Sequence, residues 1–148
     1  MRGVLSAVAA VLLCVAPGYA QDTLAPVMGP YLKIQQMLAA DSIAGLGEHA
    51  SEVSRAAGAL GPKGAEIVSA SKTLTGSGSI ATARQAFSSL TTAIFRYADA
   101  TKTPLGPGIR RTYCPMEKKS WAQKDGQIAN PYAGKRMLRC GEFTDGKG

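Results

Sequence analysis

Apolar residues recur at three- and four-residue steps along most of the first hundred positions, the period of helices that bury one face. Tyr31, Ile34, Met37 and Leu38 draw such a face between Pro30 and Ala40. Asp41 or Ser42 is placed to cap the next segment, where Ile43, Leu46, Ala50, Val53, Ala57 and Leu60 keep the spacing. Gly45 and Gly47 weaken its start by roughly 1 kcal/mol each relative to Ala. Gly61 and Pro62 end it. A third helix is predicted from Pro62 to Leu74, with Ile67, Ala70, Ser71 and Leu74 inward. After the loop Thr75 to Ser79, the longest stripe is Ile80, Ala83, Phe87, Leu90, Ile94 and Tyr97, and it runs out in Thr101 to Gly108. Short connections favour antiparallel neighbours. The pattern therefore predicts a mainly α protein, a small antiparallel helical bundle with its helical part at about 28–100.

Beyond Gly108 the period is lost, and Gly, Pro, Lys and aromatic residues replace the Ala-rich texture. IRRTYCPM, from Ile109 to Met116, predicts a short extended segment, and Ser120 to Lys124 a short helix; turns make up the rest. This stretch, about 109–143, has too few apolar residues to form a core alone. It is expected to be an irregular, Cys/Met-containing segment that docks on the bundle, is tied through Cys114 and Cys140, or stays loose.

The front of the chain changes the compartment. Arg2, the apolar run Val4 to Val15 and the ending Gly18-Tyr19-Ala20 are the parts of a secretory signal peptide, residues 1–20. The run is too short to cross a bilayer of about 30 Å as a helix. Cleavage after Ala20 is expected, leaving one domain at 21–148 with no transmembrane span, periplasmic or secreted. It removes Cys14, and Cys114 and Cys140 are then the only cysteines.

Charge is uneven. Residues 21–100 carry six Lys/Arg and six Asp/Glu, whereas 101–148 carry ten and four, so the excess of six lies in the last third. Such a segment attracts anionic surfaces. Export argues against nucleic acid as the partner, and the plain reading is a solvated basic face.

The candidate chemistry is sulfur. Cys114 and Met116 sit at i and i+2, the spacing that shares one face of an extended strand. Met137 and Cys140 sit at i and i+3, the spacing that shares a helical or turn face. Two thiolates and two thioethers form a soft donor set suited to Cu(I) or another soft metal. No Cys-x-x-Cys accompanies them, and zinc sites lack their usual spacing. A disulfide between Cys114 and Cys140 answers the same residues, with Met116 and Met137 as fillers of the docked tail. Both readings stand at this point.

Other groups carry less. His49, the single His, lies beside Glu48 and Glu52 without a second imidazole and reads as helix surface. The TGSGS loop lacks the Lys of a phosphate-binding loop. Lys118 and Lys119 beside Trp121 read as surface. No nucleophile, base and acid assemble in the sequence, so no enzyme is expected.

YCPM (Tyr113 to Met116), Trp121 and Gln123, then IANPYAG (Ile128 to Gly134) and MLRCGE (Met137 to Glu142) closely resemble the C-terminal signature of the bacterial DUF3347 family. The upstream YLKIQQ…LA.D segment, Tyr31 to Asp41, is similar as well. Relatives in that family are fused to, or named with, periplasmic adaptors of copper and heavy-metal efflux. The resemblance implies metal ligands at Cys114, Met116, Met137 and Cys140. It implies site-shaping roles for Tyr113, Pro115, Trp121, Asn130, Pro131 and Tyr132, and a periplasmic efflux adaptor or metal transporter as partner. Two functions follow as expectations: an exported soft-metal protein, or a disulfide-stapled envelope interaction module without metal.

Overall fold

A computed structural model describes residues 23–145 of the chain. The expected signal peptide, residues 1–20, lies outside the described residues. Four helices come first: α1 (Ala25–Ala39), α2 (Leu46–Gly58), α3 (Ala65–Thr75) and α4 (Ile80–Thr101). They are followed by β1 (Ile109–Cys114), β2 (Lys119–Lys124) and β3 (Glu142–Phe143), with a 3-10 turn at Gly134–Met137 before β3. The protein is mainly α, a small helical bundle with the C-terminal segment docked on it, as the apolar periodicity predicts.

The helical faces are those the spacing marks. Tyr31, Ile34 and Leu38 of α1, Leu46, Ala50, Val53 and Ala57 of α2, and Ile67 and Leu74 of α3 are all buried. Ala83, Phe87, Leu90, Ile94 and Tyr97 of α4 join them in one core. Successive helices pack on one another, α1 on α2, α2 on α3 and α3 on α4. Ser79 starts α4 with a capping box, its hydroxyl accepting the Thr82 N–H at 3.2 Å while the Thr82 hydroxyl accepts the Ser79 N–H at 3.2 Å.

Four local expectations are corrected. Helix α1 begins at Ala25 and carries Pro30 inside it, at the cost of one main-chain hydrogen bond. Burial explains this, because Leu24, Val27 and Met28 are each at most 1 % exposed and anchor the first turn. Neither Asp41 nor Ser42 caps α2. Asp41 is a left-handed residue beyond the end of α1, and α2 starts at Leu46 after the left-handed Gly45. The third helix is divided into a 3-10 turn, Gly61–Gly64, and α3. Ser120 to Lys124 is strand, not helix: β2 pairs antiparallel with β1 from Ile109↔Lys124 to Cys114↔Lys119.

The tail is thus more ordered than its composition suggests. Its sheet has the order β2-β1-β3, with Thr112↔Phe143 and Tyr113↔Glu142 joining β1 to β3. Strand β2 lies against α1 and α4. Aromatic rings connect the layers: Tyr31 stacks on Phe87 with centroids 4.8 Å apart, Phe87 meets Tyr132 at 5.9 Å, and Tyr132 meets the edge of Trp121 at 6.1 Å.

Candidate functional site

Cys114 is the last residue of β1, and Cys140 follows the Gly134–Met137 turn; the two form a disulfide with Cα atoms 5.6 Å apart and a sequence separation of 26. Cys114 is fully buried, and its Sγ accepts the Glu117 N–H at 3.5 Å. Cys140 is half-buried, and its N–H donates to the Met137 carbonyl at 3.0 Å. Met137 and Cys140 therefore share one turn, as their spacing predicts. Cys114 and Met116 do not share a face. The strand stops at Cys114, Pro115 opens the turn to Lys119, and Met116 stands out of it 72 % exposed. Met116 is accordingly no filler of the docked tail.

The residues expected to shape the site hold the segment rigid. Asn130 is its hub: its side-chain oxygen accepts the N–H groups of Tyr132 at 2.8 Å and Ala133 at 3.1 Å, and its amide donates to the Cys140 carbonyl at 2.9 Å. Trp121 is fully buried and donates its indole N–H to Gln123 Oε1 at 2.9 Å, an oxygen that also accepts the Ala129 N–H at 3.0 Å. Tyr132 donates its hydroxyl to the Ser120 carbonyl at 2.7 Å, and burial pushes its pKa up. Pro131 is buried, Tyr113 half-buried and Pro115 exposed.

Several residues outside the expected site complete it. Arg84 donates to the carbonyls of Pro131 at 2.7 Å and Leu38 at 3.0 Å, and to the Asp41 carboxylate at 2.6 Å. The other Asp41 oxygen accepts the Lys135 N–H at 3.0 Å. Gln35 donates to the Ala129 carbonyl at 2.6 Å. Glycine is required where this clasp closes: a Cβ on Gly134, at φ +56°, would fall within 2.4 Å of the Arg84 guanidinium and closer still to the Asp41 carboxylate. Tyr31, Gln35 and Asp41 all belong to the upstream segment singled out in the sequence, so the two stretches that carry the resemblance touch each other. Buried polar residues at helical core positions, Tyr31 and Gln35, are the signal that points to such contacts.

Among the described residues, no three His, Cys, Asp or Glu side chains gather into a metal-ligand cluster. A soft ion at Cys114 and Cys140 would need the two sulfurs as thiolates, with methionine sulfur completing the set. His49 lies away from this segment on α2 and pairs with Glu52 at 3.0 Å. The described residues contain no helix long and apolar enough to cross a membrane.

The site is thus a four-helix bundle's disulfide-closed sheet, with an exposed methionine at the hairpin tip. Compared with protein-family models, with curated proteins and with solved structures, the chain matches none.

Proposed function

We propose that the chain is an exported, non-enzymatic soft-metal protein whose Cys114–Cys140 pair binds Cu(I) when reduced. The observation that carries this reading is Met116, a thioether held 72 % exposed two residues from a cysteine of the pair. Packing supplies no reason for it, and an exposed thioether beside a cysteine suits a soft ion. The likeness to the DUF3347 signature supports the same reading, and a periplasmic efflux adaptor or metal transporter is the proposed recipient.

The cycle needs a dithiol protein as reductant. Two electrons and two protons convert the disulfide to two thiols while the reductant becomes a disulfide. Cys140, the half-buried sulfur, is the point of attack. Cu(I) then displaces the two thiol protons; Met137, in the turn of Cys140, supplies a thioether donor, and Met116 joins it once the hairpin tip turns toward the pair.

The test is competition for Cu(I) against a chromogenic chelator, with the chain beginning at Gln21 held reduced by a phosphine. One ion per chain is expected, with loss of binding in Cys114→Ser and affinity lowered at least about tenfold in Met116→Leu with Met137→Leu. A reduced chain that leaves all copper on the chelator sinks the metal reading. The second reading then takes its place: a disulfide-stapled envelope interaction module, favoured by the full burial of Cys114.

A further inference from the structure

We propose that the tip of the β1–β2 hairpin, with the Gly134–Met137 turn beside it, docks on anionic phospholipid bilayers. Met116 is the one large apolar side chain among the described residues that stands exposed. It lies in the turn with Lys118, which is exposed, and Lys119, which is half-buried with its ammonium over the Tyr132 ring. The Arg136 guanidinium reaches the Glu117 carboxylate at 2.9 Å and holds the second turn against the first. Exposed Lys135 precedes Arg136 in that turn, and exposed Arg139 precedes the disulfide-bonded Cys140.

The acids near these cations do not balance them. Asp41 is held by Arg84 and accepts the Lys135 N–H, Glu117 is engaged by Arg136, and Glu142 lies in β3 opposite Tyr113, so three acids stand against six cations, Arg84, Lys118, Lys119, Lys135, Arg136 and Arg139. Lys118, Lys135 and Arg139 are exposed, and Arg139 uses one N–H on the Ile128 carbonyl at 2.6 Å. A protruding apolar side chain with basic residues in its own turn and in the turn tied to it suits an anionic interface: the thioether enters the headgroup boundary while the ammonium and guanidinium groups meet phosphates. A protein partner would need a pocket shaped to this convex turn, whereas a bilayer needs no complementary shape. Trp121 takes no part, because it is fully buried.

This reading shares the exposed Met116 with the metal reading but does not require metal, and the variants separate the two. The chain beginning at Gln21 is sedimented with vesicles of mixed phosphatidylglycerol and phosphatidylcholine, and with vesicles of phosphatidylcholine alone. Binding is expected only to the former and is expected to vanish at about 0.5 M salt. Lys118→Gln with Lys135→Gln should weaken it about 25-fold, roughly fivefold for each cation. Met116→Ser should weaken it further, whereas Met116→Leu, which removes the thioether but keeps the apolar bulk, should retain it. All three positions are exposed, so the fold survives and circular dichroism verifies that. Equal binding to both vesicle types, no binding to either, indifference to the lysine changes, or retention by polyglutamate without retention by vesicles would each overturn the proposal.

Discussion

The hydroxyl of Tyr31 accepts the main-chain N–H of Ala122, 91 residues further along the chain, at 3.0 Å. The same oxygen is paired with the Thr91 hydroxyl at 2.8 Å. One phenol on α1 thereby satisfies a donor on the outer strand of the sheet and a hydroxyl on α4. All three groups are buried, and burial drives the Tyr31 pKa well above its ordinary value of 10.0. Tyr31→Phe keeps the ring stacked on Phe87 but strands the Ala122 N–H, while the Thr91 hydroxyl keeps the Tyr132 hydroxyl as a partner. A loss of about 1–3 kcal/mol is expected, the range for one orphaned buried group. Urea unfolding followed by fluorescence measures it, and an unchanged midpoint would show that the sheet is not fastened through this oxygen.

Asp41 gives the docked segment a pH dependence. Its carboxyl is held below its usual value of 3.8, first by the hydrogen bond from Arg84 and then by the Lys135 N–H. A depressed carboxyl stabilises the fold above the unfolded value, and that stabilisation is lost as pH falls through the folded one. Asp41→Asn should therefore melt at a lower temperature than the parent at neutral pH, and the gap should close in acid below 3.8. Asp99, held low by Arg111, titrates alike in both proteins and cancels from the difference. Melting curves across the acid range provide the check; a gap independent of pH would mean that the carboxylate charge is not what closes the clasp.

The disulfide closes a loop spanning 26 residues, Cys114 to Cys140. On the chain-entropy estimate its loss costs about 3.5 kcal/mol. The sheet should suffer more than the bundle, because the disulfide ties two parts of the tail together while most of the shared core is supplied by the helices. Hydrogen exchange on Cys114→Ser with Cys140→Ser should show protection lost first in β1 to β3 and retained in α1 to α4. Uniform loss across both parts would mean that the bundle does not stand without the docked tail.

The helices were legible because burial alone sets their pattern. Ile67, Phe87 and Ile94 repeat at the right period, and their faces are buried as that period requires. Strand β2 was not legible, since Trp121, Ala122 and Gln123 are all buried and no alternation remains to read. Its pairing with β1 and its contact with Tyr31 are decided by residues far away in the chain. The sulfur site was half legible. Spacing placed Met137 and Cys140 in one turn, but it misplaced Met116, because Pro115 ends the strand one residue after Cys114. The Asp41–Arg84 clasp was invisible to local reasoning, which assigned Asp41 to a helix cap. A left-handed residue directed at an arginine 43 positions away leaves no periodic trace.

Thr112 carries a buried hydroxyl with no hydrogen-bond partner among the described residues. Leaving such a group unpaired is costly, and replacing it with a methyl of the same shape removes the cost. Thr112→Val is therefore expected to be neutral or to stabilise the fold by about 1 kcal/mol. A loss of stability on urea unfolding would reveal a partner for that hydroxyl.

Gly141 lies where β3 begins, at φ +150°, and a Cβ there would stand 2.6 Å from Trp121 Cη2 and 3.3 Å from both Ile128 Cγ2 and Thr112 Cγ2. Trp121 has no room to retreat, being fully buried and tied through its indole N–H to Gln123. Gly141→Ala should therefore destabilise by about 2–4 kcal/mol, combining overpacking with a backbone angle that alanine disfavours. Gly126→Ala is the control: its φ of +126° is similarly unfavourable, but nothing lies within 4 Å of the added carbon. Fluorescence of the single Trp reports both unfolding curves. A larger loss in Gly141→Ala isolates the clash with Trp121, whereas equal losses would assign the whole effect to the backbone and free the indole of any part in requiring glycine.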